Sequence, residues 1–208
     1  MKTVCIYHSI DLDGFMSAAI VKHWFKQEYK NDSYDCGNDF QRVENYDSRY
    51  AKLDFIGYNY GQPVPDLSGY NRVIMCNISF PENEMYKLCV TKDFIWNDHH
   101  ASALAMYENI RPSLPNDIYY AKGLRGVQYA ACELTWKYFF PNEPMPEIVR
   151  LLGMYDSFRY KGTDEEQKVL EFQYGARQVI QDYETAYNWL EATEGFSERV
   201  VNETLEEI

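Results

Sequence analysis

Three polar clusters follow apolar, strand-like runs, and their side chains are of types that bind divalent metal ions. Because ligands of α/β sheets collect beyond the carboxyl ends of the strands, we expect these clusters to share one volume. Mixed imidazole and carboxylate ligands suit Mn²⁺, Zn²⁺ or Fe²⁺ better than Ca²⁺, and a pair of such ions activates water for displacement at phosphorus. The pattern therefore predicts a metal-dependent phosphodiesterase. The clusters are His8-Ser9-Ile10-Asp11-Leu12-Asp13-Gly14, then Asn77, and then Asn97-Asp98-His99-His100.

Each cluster also has a simpler structural explanation. A sequence of the form Asp-x-Asp-Gly most often makes a turn and a helix N-cap, and adjacent histidines often lie on the surface. The metal interpretation is favoured because three of the four histidines, His8, His99 and His100, follow predicted strands. The fourth, His23, lies on a predicted helix face and is interpreted as structural.

Strands and helices alternate over the first 120 residues, which predicts an α/β fold with a parallel sheet covered by helices on both faces. Strands are predicted at residues 3–7, 52–57, 72–76, 94–96 and 118–121. Helices are predicted after the first cluster, at 41–46, from 82, and at 101–109, 126–140, 147–155 and 183–191. We expect a phosphoesterase domain over residues 1–185 and a helical tail or linker over 186–208.

Composition excludes several classes of protein. The 208 residues include 32 acidic and 20 basic side chains, a formal net charge of -12, which disfavours coating of long nucleic acids. The five cysteines form no Cys-x-x-Cys pair and are interpreted as reduced thiols. No apolar run is long enough to cross a membrane. These features predict a cytoplasmic protein without a membrane partner, and they leave its oligomeric state open.

The first and third clusters together resemble the DHH phosphoesterase superfamily, which includes RecJ-type exonucleases, nano-RNases, cyclic-dinucleotide phosphodiesterases and polyphosphatases. The small-residue stretch Phe15-Met16-Ser17-Ala18-Ala19 is similar to the family's helix after the first motif. The strand Phe94-Ile95-Trp96-Asn97 is similar to the one before the Asp-His-His triplet. Leu151-Leu152-Gly153-Met154-Tyr155-Asp156 resembles the fourth motif. The resemblance implies a DHH-type domain over roughly residues 3 to 180.

The resemblance also implies a two-metal site, with Mn²⁺ expected and Mg²⁺ or another divalent ion as the alternative. Metal ligands implied on one ion are His8 and Asp11, and those on the other are Asp13, His99 and Asp156. Catalytic roles are implied for Asp98, which would order the histidines or polarise water, and for His100, which would contact the phosphate.

Two departures from the family pattern bear on activity. Asn77 occupies the place of an aspartate that usually bridges both metals, and an amide offers one neutral oxygen where a carboxylate offers two anionic ones. Metal affinity is therefore expected to fall, and the sequence leaves open whether Asn77 is the natural residue. No histidine follows His100, so the family's smaller substrate-binding domain is expected to be absent.

The resulting expectation is hydrolysis of a small phosphate-containing substrate: a short single-stranded oligonucleotide or a cyclic dinucleotide. Substrate-binding candidates are Arg125, Arg159 and Arg177, with the loop 58–61 expected near the site. Two alternatives stay open within this chemistry, namely a nucleotide-binding module weakened by Asn77 and a polyphosphatase or pyrophosphatase. A third, a structural subunit whose polar clusters only cap helices, is less favoured.

Overall fold

A computed structural model describes residues 1–30, 52–115 and 121–195 of the chain. The predicted helix at 41–46 and most of the predicted strand at 118–121 lie outside these residues, as does the end of the predicted tail. Among the described residues no helix has the length and apolar character needed to span a bilayer.

The described strands form one parallel sheet, in the order β2-β1-β3-β4. They are β1 (Lys2–His8), β2 (Lys52–Tyr58), β3 (Arg72–Cys76) and β4 (Asp93–Asn97). The helices are α1 (Leu12–Lys30), α2 (Glu82–Thr91), α3 (Ala101–Ile110), α4 (Ala131–Phe139), α5 (Glu147–Asp156), α6 (Glu166–Val179) and α7 (Tyr183–Gly195), with a 3-10 turn at Arg111–Ser113.

Helices cover both faces of the sheet, which confirms the predicted α/β class. Strand side chains alternate between the faces, as the period of two requires. One face packs against α2 and α3 through residues such as Met75 and Trp96. The other packs against α1 and α4 through residues such as Cys5 and Ile74. Both faces are apolar because parallel sheets are buried on both sides.

A further apolar cluster lies on the side of α1 away from the sheet, and it joins α4, α5, α6 and α7 to α1. Ala186, Tyr187 and Leu190 of α7 are buried in this cluster. The boundary predicted after residue 185 therefore falls inside α7, and the domain continues through this helix. Helix α6 was not predicted from the sequence, and α4 begins five residues later than predicted.

Gly14 allows α1 to begin directly against the end of β1. A β-carbon at this position would lie 1.9 Å from the backbone oxygen of His8. That contact is with backbone, so a side chain here must displace either the strand end or the helix start. Gly14 therefore fixes the separation between His8 and the acidic residues of the first cluster.

We expect Gly14→Ala to lower the free energy of unfolding by about 3 kcal/mol, the upper end of the usual cost of overpacking. The matched control is Gly126→Ala, since a β-carbon at Gly126 would meet nothing within 4 Å. The control should leave stability unchanged or slightly raised. Urea denaturation of the three proteins measures the difference, and equal stability of the two variants would contradict the close approach at Gly14.

Candidate metal centre

The strand order brings the three polar clusters to one edge of the sheet. In the parallel register Tyr7 pairs with Cys76, and Cys76 pairs with Asn97. The residues that follow these positions are His8, Asn77 and Asp98. They therefore extend from three adjacent strands at their carboxyl ends, where the predicted convergence requires them to be.

Asp13, His99 and Asp156 form a cluster whose ligand atoms all lie within 4.8 Å of one another. His99 Nε2 lies 3.1 Å from Asp156 Oδ2 and 3.5 Å from Asp13 Oδ2. The three side chains come from the start of α1, the loop after β4 and the end of α5. This is the ligand set implied for one metal ion, and His8 is not part of the cluster.

The start of α4 holds the Asp13 carboxylate in place. The backbone amides of Ala131 and Cys132 donate to its two oxygens at 3.0 and 2.7 Å. Helix N-termini favour an anion because their first amides lack intrahelical acceptors. Each carboxylate oxygen has a second lone pair. Asp13 can therefore cap α4 and bind a cation at the same time.

His8, Asp11 and Asn77 form a second group beside this cluster. His8 Nδ1 lies 2.5 Å from Asp11 Oδ2, but it has no partner in hydrogen-bond geometry. Asn77 Nδ2 donates to Asp11 Oδ1 at 3.0 Å, and the buried Asn77 Oδ1 has no partner among the described residues. Asn77 adopts a left-handed backbone conformation, φ 59°, which asparagine and aspartate tolerate better than most residues.

Asp98 organises the two histidines. It is fully buried, and its Oδ1 accepts from the backbone amides of His99 and His100 and lies 2.7 Å from His100 Nδ1. The hydrogen bond to Asp98 raises the pKa of His100. The His100 ring lies beside those of His8 and Tyr60, with centroids 6.4 and 6.3 Å away. Tyr60 belongs to the loop that was predicted to lie near the site.

The cluster carries strong electrostatic coupling. Burial, followed by the charge of Asp156, raises the pKa of Asp13 to about 7. Burial opposes the charged form of His99, but the hydrogen bond to Asp156 and the charges of Asp13 and Asp156 outweigh it and raise its pKa to about 9. A cation bound to these groups would have to displace their protons, because metal ligands bind in their deprotonated forms.

The three predicted arginines lie in different surroundings. Arg177 lines a cleft of about 490 Å³ that also contains Asp11, Asp13 and Asp156. Arg125 is turned inward and donates to the backbone oxygens of Trp96, Lys122 and Ala121. Arg159 pairs with the buried Glu133. Of the three, Arg177 is the one that lines the same cleft as Asp11, Asp13 and Asp156.

Two polar residues of this region were missed from the sequence. Glu133 accepts from the amide of Ala130, which stabilises the start of α4 next to Asp13. Gln173 lines the cleft and is 5% exposed. The sequence does carry a signal for Gln173, because this polar residue falls on the same helical face as Val169, Phe172 and Ala176, which are buried.

Comparisons with known proteins do not assign a family. No family model matches the chain, and no solved structure matches it. An uncharacterised protein of Acanthamoeba polyphaga mimivirus is 28% identical over 159 residues. The match covers 76% of this chain but 34% of the viral protein. The chain thus spans about a third of the length of that relative.

We expect Asp156→Asn to weaken Mn²⁺ binding at least about tenfold, because it removes an anionic ligand from the cluster. Isothermal titration calorimetry of the metal-free protein measures the affinity. The control is Asp164→Asn, the same change at an exposed aspartate eight residues further along the chain. Equal Mn²⁺ affinity in both variants would exclude Asp156 as a ligand.

Metal affinity and metal-free stability should depend on pH in opposite directions. The folded-state pKa values of Asp13 and His99 lie above their ordinary values of 3.8 and 6.5. Each group therefore stabilises the metal-free fold most at low pH, and this contribution falls as pH rises towards about 7 for Asp13 and about 9 for His99. Mn²⁺ must displace these protons, so its affinity should rise between about pH 6 and 9. Melting temperatures with and without Mn²⁺ across this range measure both trends. A Mn²⁺-induced shift in melting temperature that does not change with pH would contradict the predicted displacement of protons.

Proposed function

We propose that the chain is a metal-dependent phosphoesterase of DHH type that hydrolyses short phosphodiesters, such as small oligonucleotides or cyclic dinucleotides. The observation that supports this most is the cluster of Asp13, His99 and Asp156, three side chains distant in the sequence whose ligand atoms lie within 4.8 Å of one another. A second group of possible ligands, His8, Asp11 and Asn77, lies beside this cluster at the carboxyl ends of β1 and β3. Helix capping alone does not require all of these groups to meet.

The residues present fit a divalent cation. Asp13, His99 and Asp156 would hold one ion, while His8, Asp11 and the unpartnered Asn77 Oδ1 offer ligands for a second. The mixed nitrogen and oxygen donors suit Mn²⁺. Such ions supply Lewis-acid activation of water and neutralise charge that develops on a phosphoryl group.

The remaining side chains support binding and orientation. Asp98 fixes the orientation of His100, whose ring faces the first cluster through its contact with His8. Arg177 supplies a positive charge in the cleft that contains the carboxylates, and guanidinium groups bind phosphate oxygens well. The net charge of -12 disfavours long nucleic acids and favours a substrate with few phosphates.

Asn77 supports a second candidate, a nucleotide-binding module that retains its ligand without cleaving it. The Asn77 amide already donates to Asp11, which stabilises that carboxylate without a metal. It also adds no charge to the second group of ligands. A cation in this group would therefore bind more weakly than in the cluster around His99, and cleavage that needs both ions would be slow.

Replacing Asn77 by Asp should separate the two candidates. The variant places a carboxylate where Asn77 Nδ2 now lies 3.0 Å from Asp11 Oδ1, so a cation is needed to offset the repulsion. We expect Mn²⁺ affinity and the kcat/KM for bis(p-nitrophenyl) phosphate to rise at least about tenfold, and metal-free stability to fall.

Asn71→Asp is the matched control, because Asn71 precedes β3 at the opposite end of the same strand and is exposed. Asn71→Asp should change neither the Mn²⁺ affinity nor the kcat/KM. A gain in metal affinity without hydrolysis would favour the binding module. No gain in either quantity for Asn77→Asp would show that position 77 does not limit the metal site.

A further inference from the structure

The cleft beside the metal cluster contains surface for more than a phosphate. Its volume of about 490 Å³ lies in the range of small-molecule sites. Apolar side chains contribute much of its wall, including Ile10, Phe15, Leu152 and Ile180. Inorganic polyphosphate has no apolar surface to bury against such a wall. An organic group is stabilised there because its apolar surface leaves contact with water. The cleft therefore suits a substrate that carries an organic group.

Gln173 carries a buried polar atom of this cleft that lacks a partner. The residue is 5% exposed, and its Oε1 atom accepts no hydrogen bond from the described residues. A buried amide oxygen without a donor destabilises a protein, so such a group calls for a partner such as a ligand, an ion or an ordered water. Arg177 lines the same cleft one helical turn further along α6.

We propose that Gln173 is a specificity-determining residue whose side-chain amide recognises the N–H edge of a nucleobase in this cleft. An amide offers an acceptor and a donor side by side, which matches the adjacent donor and acceptor on the edge of a base. The apolar wall would contact the base, and Arg177 would pair with phosphate at the same cleft. This inference rests on the proposed function for the position of the phosphate, and it selects nucleotide esters over polyphosphate.

Equilibrium binding tests the proposal without relying on turnover. The probes are AMP, UMP, 3-methyl-UMP and ribose 5-phosphate, titrated calorimetrically in the presence of Mn²⁺. Ribose 5-phosphate lacks the base, and 3-methyl-UMP lacks the N–H of uracil. We expect AMP or UMP to bind at least about tenfold more tightly than ribose 5-phosphate, the range of one bidentate amide-to-base contact. The methylated nucleotide should lose most of the advantage of UMP.

Gln173→Met removes the amide and keeps an unbranched side chain of similar length. It should remove the preference for UMP over 3-methyl-UMP, which depends on the amide, while the apolar wall still favours a base over ribose 5-phosphate. Gln167→Met is the matched control, because Gln167 is exposed on the same helix. The melting temperature of Gln173→Met should be unchanged or higher, since Oε1 has no partner to lose. A Gln173 with a merely structural role would instead show a lower melting temperature.

The possible results separate this inference from the proposed function. A preference for UMP over 3-methyl-UMP that Gln173→Met removes, together with hydrolysis of bis(p-nitrophenyl) phosphate, supports both. The same preference without hydrolysis supports the base site and refutes the phosphoesterase. Hydrolysis with equal binding of nucleotides and ribose 5-phosphate, or a preference for UMP over 3-methyl-UMP that survives in Gln173→Met, overturns the base site. Failure of every probe to bind overturns it as well.

Discussion

The site depends on the burial of the Asp13 carboxylate at the amino terminus of α4. This one group lies in the first turn of α1, accepts the first free amides of α4, and lies 3.5 Å from His99. These amides offset part of the cost of burying a charged acid beside Asp156, and burial still raises the pKa of Asp13 to about 7. Ala130, the N-cap residue of α4, has no side-chain acceptor, so Asp13 caps the amides of Ala131 and Cys132, while Glu133 accepts from the amide of Ala130. The same contact therefore links the start of α4 to the cluster of Asp13, His99 and Asp156.

The sheet and the convergence of the polar clusters could be predicted because their signals are local. Apolar runs such as Arg72 to Cys76 indicate buried parallel strands, and the residues after each run must then emerge at one edge. The same reasoning predicts that Asp13 and His99 converge, whereas Asp156 is implied by the family resemblance. The structure places these three side chains as a cluster.

The remaining features depend on contacts between distant parts of the chain. Helix α4 begins at Ala131, later than predicted, where its amides meet a carboxylate 118 residues away. No local pattern encodes such a cap. Arg125 and Arg159 look like free cations in the sequence, but their guanidinium groups meet backbone oxygens and the buried Glu133. Charge alone could not separate them from Arg177, because the separation depends on which partner each arginine reaches.

Asn77 and Gln173 show how the free protein balances stability against ligand binding. The Asn77 amide relieves repulsion in the acidic group by donating to Asp11, so it stabilises the metal-free fold and leaves its oxygen without a partner. The buried Gln173 Oε1 atom has no hydrogen-bond partner among the described residues. An apolar side chain of the same shape would stabilise the fold better than an amide with an unpaired oxygen. Under the two proposals, a ligand would supply the missing contact at both positions.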